Sequence, residues 1–376
     1  METWSAHHLF QEASKQLDCD TIFLLQNYAL DLRSKKLPVI FSLGHLGKIT
    51  GIDYDFLYRS VNRKYESINY NMFSIRKRSG GNRFIHAVNG KLFKLQKYLN
   101  EEILQKINPH PSSFAFHASG GIRQCANQHC GCRWLFQFDL KDFFYTIAEP
   151  HVFKIFKEIG YKKILAFELA RLCTTIRLPK TKSSYIKYNK YVSENTPYFP
   201  QNYIGVLPQG APTSPMLSNL AARRLDEMLY DYSQNYGLVY TRYADDLAFS
   251  ASVLPPHKSI ARIKRDIISI IRRNNFFENN KKIRIAGPGS RKTILGLLVD
   301  GEKPRLTKQL RNRIERNIFS IEKFGIREVA NHDKFESVYG FFNHLSGLMS
   351  FIHDVDLTLW NKLQPRFATI KKLVEL

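Results

Sequence analysis

The stretch LVYTRYADDLAFSA, residues 238–251, decides the fold. Two runs of apolar and β-branched residues flank the pair Asp245-Asp246. In the first run, Val239, Thr241 and Tyr243 alternate with Tyr240 and Arg242. This alternation predicts two strands joined by a tight turn that carries the acidic pair. Adjacent carboxylates repel each other, which favours a metal site, but Asp is also common in plain surface turns. The pair alone does not separate these two interpretations.

The charge of the chain indicates a polyanionic partner. Its 376 residues include 56 Lys and Arg against 33 Asp and Glu, a net charge of +23, and 44% of them are hydrophobic. Such a chain can bury a large core and hold two or three subdomains. The basic excess is not a terminal tail, because it recurs at residues 33–36, 76–83, 162–163, 180–190, 281–284 and 308–316. Charge spread through a folded chain predicts binding to nucleic acid, with a solvated basic surface as the alternative.

The cysteines and the apolar runs bear on the compartment. The chain has five cysteines, an odd number, and no secretory signal pattern. It also lacks an apolar run of the roughly 18 residues that suggest a membrane span. We therefore expect a cytoplasmic protein in a reducing environment with no membrane partner. Cys125, Cys130 and Cys132 cluster with His129, but structural zinc sites usually combine two separated ligand pairs, which Cys-x-Cys spacing matches poorly.

A second acidic position ends a predicted buried strand. Residues 135–140, LFQFDL, form an apolar run that brings Asp139 to its carboxyl end. A carboxylate there costs free energy unless it is paired or binds a metal. The alternative is an Asp that caps the following helix.

A glycine-containing loop and a basic hairpin complete the motifs. Gln209-Gly210 precedes Thr213, Ser214 and Pro215, which predict the start of a long helix. A ligand can approach such a backbone closely, although plain loops share the pattern. Residues 73–87, FSIRKRSGGNRFIHA, predict a hairpin with Lys77 and Arg83 on its arms. These cations suit a triphosphate, or they deter pairing at a sheet edge.

The combination of Asp139, the Gln209 loop and the Asp245-Asp246 hairpin suits nucleotidyl transfer. That reaction uses two divalent metals about 4 Å apart, one activating the attacking 3′-oxygen and one holding the leaving phosphates. Mg²⁺ prefers hard oxygen ligands and retains water, so a few carboxylates plus substrate phosphates suffice. The sequence therefore predicts a metal-dependent nucleotidyltransferase.

These motifs, in this order, resemble those of reverse transcriptases. The resemblance spans about residues 70–350 and is most specific in FQFDLKDFFYTI (136–147), LPQGAPTSPMLSN (207–219) and YTRYADD (240–246). The chain is most similar to the bacterial retron group and its antiphage-defence relatives. It departs at Cys125, where retron enzymes commonly carry the Asn of Asn-Ala-x-x-His, and at Ile294-Leu295-Gly296, where they carry Val-Thr-Gly. Both are group-specific recognition features, so a divergent retron and another defence reverse transcriptase are both open.

The resemblance implies a role for each matching residue. It makes Asp139, Asp245 and Asp246 the catalytic and metal-binding set, with two Mg²⁺ ions for which Mn²⁺ could substitute. Asp139 and Asp245 would be the principal ligands. Nucleotide binding would fall to Phe144, which excludes a 2′-hydroxyl, and to Gln209, Gly210, Lys77, Arg83 and Lys282. Primer or template contacts would fall to Tyr243, Leu295 and Gly296.

The resemblance also implies an α+β fold with the right-hand polymerase architecture. We expect an N-terminal helical region (1–70), fingers (71–134), a palm with an antiparallel sheet (135–302, with a fingers insertion at about 150–206) and a helical thumb (303–376). The expected reaction is DNA synthesis from dNTPs on a dedicated, structured non-coding RNA, and the expected setting is antiphage defence by a retron or a related system. A separate effector protein and an oligomer are further candidate partners. The alternatives are an RNA- and effector-binding scaffold with secondary polymerase activity, a non-retron defence enzyme with protein- or self-priming, and an RNA-templated RNA polymerase.

Overall fold

A computed structural model describes Lys15 and residues 17–76, 80–188 and 203–375. Lys77 and most of the first predicted helix lie outside the described residues. The first half of the chain forms these elements: α1 (Cys19–Ser34), α2 (Leu43–Thr50), α3 (Tyr54–Val61), α4 (Glu66–Asn69), β1 (Tyr70–Arg76), β2 (Asn82–Val88), α5 (Gly90–Glu102), α6 (Ile122–Asn127), β3 (Trp134–Asp139), α7 (Phe143–Thr146), α8 (Glu149–Ile159) and α9 (Lys163–Cys173). Single 3₁₀ turns cover Leu104–Lys106 and Lys180–Tyr185.

The second half contains the predicted acidic hairpin and a run of helices. Its elements are β4 (Lys187–Tyr188), β5 (Tyr203–Ile204), α10 (Ser214–Ala221), α11 (Arg223–Asn235), β6 (Val239–Tyr243), β7 (Asp246–Ala251), α12 (Ile260–Arg273), β8 (Arg284–Ala286), β9 (Thr293–Ile294), β10 (Leu297–Leu298), β11 (Arg305–Leu306), α13 (Lys308–Phe324), α14 (Ile326–His332), α15 (Val338–Val355) and α16 (Leu357–Glu375). A 3₁₀ turn covers Asn280–Lys282.

The helix expected after Gln209-Gly210 is interrupted. Ala222, with φ −83° and ψ 0°, separates α10 from α11, although its amide still donates to the Ser218 carbonyl and its carbonyl still accepts the Asp226 amide. Pro215 lies in the first turn as predicted, but the Thr213 side chain makes no capping hydrogen bond. The predicted single long helix is therefore wrong by this one-residue break.

The chain divides into two compact units. Of the described residues, the first comprises those through His117, together with those within 140–229 and Lys264–Glu278. The second comprises Ala118–Asp139, Tyr230–Ile263 and the chain from Asn279 onward.

The second unit contains a four-stranded antiparallel sheet in the order β6-β7-β3-β8. One face carries an aromatic layer, in which Phe249 stacks on Tyr240 at 4.9 Å and meets Phe138 edge-on at 5.8 Å. These rings are buried, and such pairs add specificity to area burial. The sheet confirms the predicted hairpin and the predicted strand that ends at Asp139.

Helices α13, α15 and α16 pack together in the same unit. The side of α13 that faces this packing carries the buried residues Ile314, Ile318 and Ile321. Thr307 caps α13 by accepting a hydrogen bond from the Leu310 amide at 3.3 Å. Within the described ranges, no helix has the length and apolar character that crossing a bilayer requires.

The first unit contains the β1–β2 hairpin and a buried ionic network. Arg63 Nη1 pairs with Glu66 at 2.8 Å, and Arg63 Nη2 pairs with Glu149 at 2.7 Å. Glu149 also pairs with Arg171 at 2.7 Å and accepts the Gly205 amide at 3.1 Å. Because these charges are paired and hydrogen-bonded, their burial is tolerated. The network joins the helices of this unit to the strand segment that leads into the Gln209 loop.

Candidate active site

The register of the sheet places two of the predicted carboxylates side by side. Asp139, the last residue of β3, is directly opposite Asp246, the first residue of β7. Asp246 is in turn opposite Tyr243, the last residue of β6. Residues that face each other across antiparallel strands project from the same side, with Cβ atoms about 5 Å apart. Like charges in such a pair are destabilising, so the pairing of Asp139 with Asp246 does not contribute to the stability of the fold.

The turn between β6 and β7 is a two-residue loop, Ala244-Asp245. Ala244 has φ +56°, a left-handed conformation that normally favours glycine or asparagine. Its carbonyl accepts a hydrogen bond of 3.2 Å from Arg242 Nη1, whose side chain is fully buried. The hydrogen bond from the buried Arg242 side chain therefore stabilises the strained turn. Asp245 is at its tip and is half-buried.

The carboxylate of Asp139 is held by two groups from the segment before β8. Asn279 Nδ2 donates to Oδ1 at 3.0 Å, and Lys282 Nζ pairs with Oδ2 at 2.5 Å. The Asn279 amide also donates to the Asp139 carbonyl at 2.7 Å. Asp139 is 5% exposed, whereas the Lys282 side chain is half-exposed. Lys282 thus reaches a buried acid from a solvent-accessible position.

The acids and Lys282 act on one another electrostatically. Desolvation, followed by the charges of Asp245 and Asp139, raises the pKa of Asp246 to about 6, and Lys282 opposes the shift. Burial acts against the charged form of Lys282, but its hydrogen bond and attraction to Asp139 win, so the pKa of Lys282 is raised. Asp246 remains exposed to solvent, so a cation can reach it.

The donor set fits a hard divalent cation. In the described part of the chain, no three His, Cys, Asp or Glu side chains form a preformed metal cage. Mg²⁺ does not require one, because it binds through one or two carboxylates together with water and substrate phosphates. Asp139, Asp245 and Asp246 offer only carboxylate oxygens, and their mutual repulsion is the property that a cation relieves.

Two residues of the CANQH segment support the hairpin from within the unit. The ring nitrogens of His129 lie 2.7 Å from Ser250 Oγ and 2.7 Å from Thr241 Oγ1. Cys125 Sγ donates to Thr241 Oγ1 at 3.4 Å. Both side chains are 1% exposed, and burial lowers the pKa of His129 to about 3. Both side chains therefore help to pack the hairpin against α6 and its following turn.

A second hairpin in this unit carries the predicted primer turn. Ile294 pairs with Leu297, so Leu295 and Gly296 form a two-residue loop, with φ +49° and +86°. Two positive φ values are typical of a type I′ turn, where a leucine is unusual. Leu295 is half-buried and Gly296 is exposed.

The predicted nucleotide-binding residues other than Lys282 and Lys77 lie in the first unit. The carbonyl of Gln209 accepts a hydrogen bond of 2.8 Å from the amide of His86 in β2, the strand that also carries Arg83. A Cβ on Gly210, which has φ +111°, would lie 2.9 Å from Ile85 Cγ2. Glycine is therefore required where the loop approaches β2. Phe144 is half-buried in α7.

The sequence interpretation missed Asn279, which holds Asp139, and the packing role of His129. Asn279 begins the segment NNKKI (279–283) that contains Lys282, but nothing in that segment indicates which side chain reaches Asp139. The buried Arg242 was also missed, because a basic residue within a strand gives no signal of its partner.

Comparison with known proteins identifies the class. The family model for reverse transcriptase (RNA-dependent DNA polymerase) matches residues 75–299. The chain therefore belongs to the reverse transcriptase family. It is an RNA-directed DNA polymerase, and this activity requires a divalent metal.

Within the family, the chain is of the bacterial retron type. It is 27% identical over 343 residues to retron Ec86 reverse transcriptase of Escherichia coli, covering 91% of this chain and 93% of that one. It is 30% identical over 319 residues to retron Mx65 reverse transcriptase of Myxococcus xanthus, covering 82% and 71%. A solved structure of telomerase from Candida albicans with a fragment of telomeric RNA matches with a TM-score of 0.43 and 12% identity, over 81% of this chain and 56% of that one.

Proposed function

We propose that this reverse transcriptase copies a dedicated, structured non-coding RNA into DNA as part of a retron or related antiphage-defence system. The observation that carries the proposal is the row of Asp139 and Asp246 beside the Asp245 turn. It costs folding free energy and has a clear use only in cation-dependent chemistry. The similarity to retron enzymes over most of their length supports the choice of template class.

The chemistry is assigned to the carboxylates and their supports. Asp139, Asp245 and Asp246 would hold two Mg²⁺ ions, or Mn²⁺ as a substitute, and bound cations would activate the 3′-oxygen and neutralise the phosphates. Asn279 keeps Asp139 oriented through Oδ1. Lys282, already within 2.5 Å of Asp139 Oδ2, is the proton donor or counter-charge for the departing pyrophosphate.

Substrate binding is assigned to residues that follow the family pattern. Arg83 and Lys77 would hold the triphosphate of the dNTP, and Gln209 and Gly210 would close on the nucleotide. Phe144 would lie against the deoxyribose and exclude a 2′-hydroxyl. Tyr243 and the Leu295-Gly296 turn would contact the primer end. The left-handed conformation of Leu295 on its type I′ turn supports this assignment, because strained backbone is common at ligand-contacting turns.

A basic groove in the second unit supports a nucleic-acid partner. Its cationic side chains are Arg123, Lys303, Arg305, Lys308 and Arg311. Cations arranged along a groove suit a phosphate backbone. We further propose a cytoplasmic protein that works with a separate effector protein. Self-association is a further part of this proposal.

The test is extension of a primed RNA template by Asp245→Asn. Asn keeps the size of the side chain and removes its charge, so we expect DNA synthesis to fall by at least about 10³-fold while RNA affinity changes less than about twofold. Chelation by EDTA should abolish wild-type synthesis, and added Mg²⁺ should restore it. Near-normal synthesis by the variant would sink the assignment. RNA binding without any dNTP incorporation by the wild-type protein would instead favour a binding scaffold.

A further inference from the structure

The residue before the Phe143–Thr146 helix has an unusual backbone conformation. Asp142 has φ +52° and ψ +37°, in the left-handed region. Its carbonyl accepts hydrogen bonds from the amides of Tyr145, at 2.8 Å, and Thr146, at 3.2 Å. Its side chain makes no capping hydrogen bond. Asp tolerates this conformation better than most residues, yet the strain persists only where surrounding contacts impose it.

Those contacts come from the 3₁₀ turn Lys180–Tyr185. Lys182 Nζ pairs with Asp142 Oδ2 at 2.5 Å, and Tyr185 OH donates to the same oxygen at 3.1 Å. The side chains of Lys182 and Asp142 are 25% and 17% exposed, so solvent screens this pair less than a surface pair. Burial, then the charge of Asp142, raises the pKa of Tyr185 to about 12, so its phenol keeps the proton that it donates.

The neighbours of Phe144 are fixed on both sides. Phe143 is buried against Phe276, with ring centroids 5.7 Å apart. Tyr145 packs on Tyr185 at 6.2 Å, and its hydroxyl donates to the Phe84 carbonyl at 3.4 Å. Phe144 itself is half-buried, with its ring 5.6 Å from that of Phe143. The direction of the Phe144 ring is therefore set by the turn that Asp142 begins.

We propose that Asp142, Lys182 and Tyr185 form a clamp that positions Phe144 and thereby sets the discrimination between deoxyribose and ribose. The inference rests on the proposed function, in which Phe144 excludes a 2′-hydroxyl. A steric gate works only if its ring is placed to within a fraction of an ångström, and small displacements change selectivity strongly. Asp142, Lys182 and Tyr185 are positioning residues, because they act on the sugar only through Phe144.

The test compares single-nucleotide incorporation of a dNTP and the matching rNTP on a primed RNA template. We expect the ratio of the two kcat/KM values to fall on the order of tenfold in Asp142→Asn, Lys182→Met and Tyr185→Phe. The fall should come mainly from faster rNTP incorporation. Lys180→Ala, which changes an exposed lysine of the same turn, is the matched control and should keep the wild-type ratio. Tyr185→Phe removes one hydroxyl and is the variant least disturbing to folding.

A double-mutant comparison separates positioning from general damage. Phe144→Ala should lose most of the discrimination by itself, and adding Asp142→Asn should change the ratio no further. Unchanged ratios in all three clamp variants, or equal losses for dNTP and rNTP, would overturn the clamp, as would additive effects in the double variant. A wild-type protein that incorporates neither nucleotide would overturn the proposed function itself, which is a different result.

Discussion

At the scale of single residues, the buried His129 should make the stability of the fold depend on pH. Burial lowers its pKa from 6.5 to about 3, and both ring nitrogens are engaged by the hydroxyls of Thr241 and Ser250. The His129 imidazole is therefore protonated below about pH 6.5 in the unfolded chain, but only below about pH 3 in the folded chain. The stability that neutral His129 contributes is complete above pH 6.5 and is lost as the pH falls. Between pH 7 and pH 5 the loss should be about 2 kcal/mol.

Urea unfolding at pH 7 and pH 5 measures this loss. Gln in place of His129 keeps a donor and an acceptor but does not titrate, so His129→Gln should lose about 2 kcal/mol less than the wild type over that interval. It should also be less stable at pH 7, because one of the two hydroxyls loses its partner. His332, whose side chain is 85% exposed, gives the control His332→Gln. Parallel pH dependences for wild type and His129→Gln would contradict the explanation.

Some residues of the site could be predicted and others could not. Asp139, Asp245 and Asp246 stand at the ends of strong strand patterns, where an acid has no packing reason to be. Asn279 and His129 carry no such local signal. Their partners are Asp139, Thr241 and Ser250, far away in sequence, so only the folded register shows what they do.

At the scale of elements, substitutions in the turn that joins β9 and β10 can measure the cost of backbone strain independently of side-chain contacts. A Cβ at Gly296 would meet nothing within 4 Å, although φ is +86°. Gly296→Ala should therefore cost only the left-handed backbone penalty, about 1–2 kcal/mol in the free energy of unfolding. Leu295→Asn is the comparison, since Asn tolerates φ +49° better than Leu, and it should be neutral or stabilising.

Urea unfolding and primer extension together check this turn. If Leu295 contacts the primer end, Leu295→Asn should weaken primer use while leaving the fold at least as stable. A strongly destabilised Leu295→Asn would show that the leucine is retained for packing, and the primer assignment would lose its support.

Element prediction from sequence succeeded where the pattern was local. The period-2 alternation around residue 240 predicts the hairpin that the structure shows, because its two strands are adjacent in sequence. The pairing of Asp139 with Asp246 could not be predicted, because register between strands distant in sequence depends on packing of the whole sheet. The left-handed Ala244 and the break at Ala222 were not predicted either, because alanine has no intrinsic preference for a left-handed turn or a helix break.

At the scale of the whole molecule, the net charge of +23 makes RNA binding dependent on salt. Each phosphate contact that is lost should reduce the slope of log affinity against log salt concentration by about 1. Lys308→Ala combined with Arg311→Ala, both in the basic groove, should therefore reduce the slope by about 2. Affinity should fall by a similar factor for any RNA sequence, because phosphate contacts carry no sequence information.

Filter binding from 50 to 300 mM KCl would measure the slopes. Lys48→Ala removes an exposed lysine of α2, in the first unit and outside the groove, and should leave affinity and slope close to the wild-type values. Equal effects of the groove pair and of Lys48→Ala would mean that the charge acts diffusely and that the groove is not a binding surface.

The order of the strands also governs how the protein is made. In the sheet, the strand Trp134–Asp139 lies between the strands Asp246–Ala251 and Arg284–Ala286. Both partner strands are synthesised much later, so the apolar side chains of Trp134–Asp139 stay unpaired until then. At 5–20 residues per second, that wait is on the order of 10 s. During it the unpaired strand is exposed to aggregation, and long-range pairing is slow in any case. A nascent chain that pauses just before Asn279 already carries all three acids, but the carboxylate of Asp139 still lacks its two side-chain partners, Asn279 and Lys282.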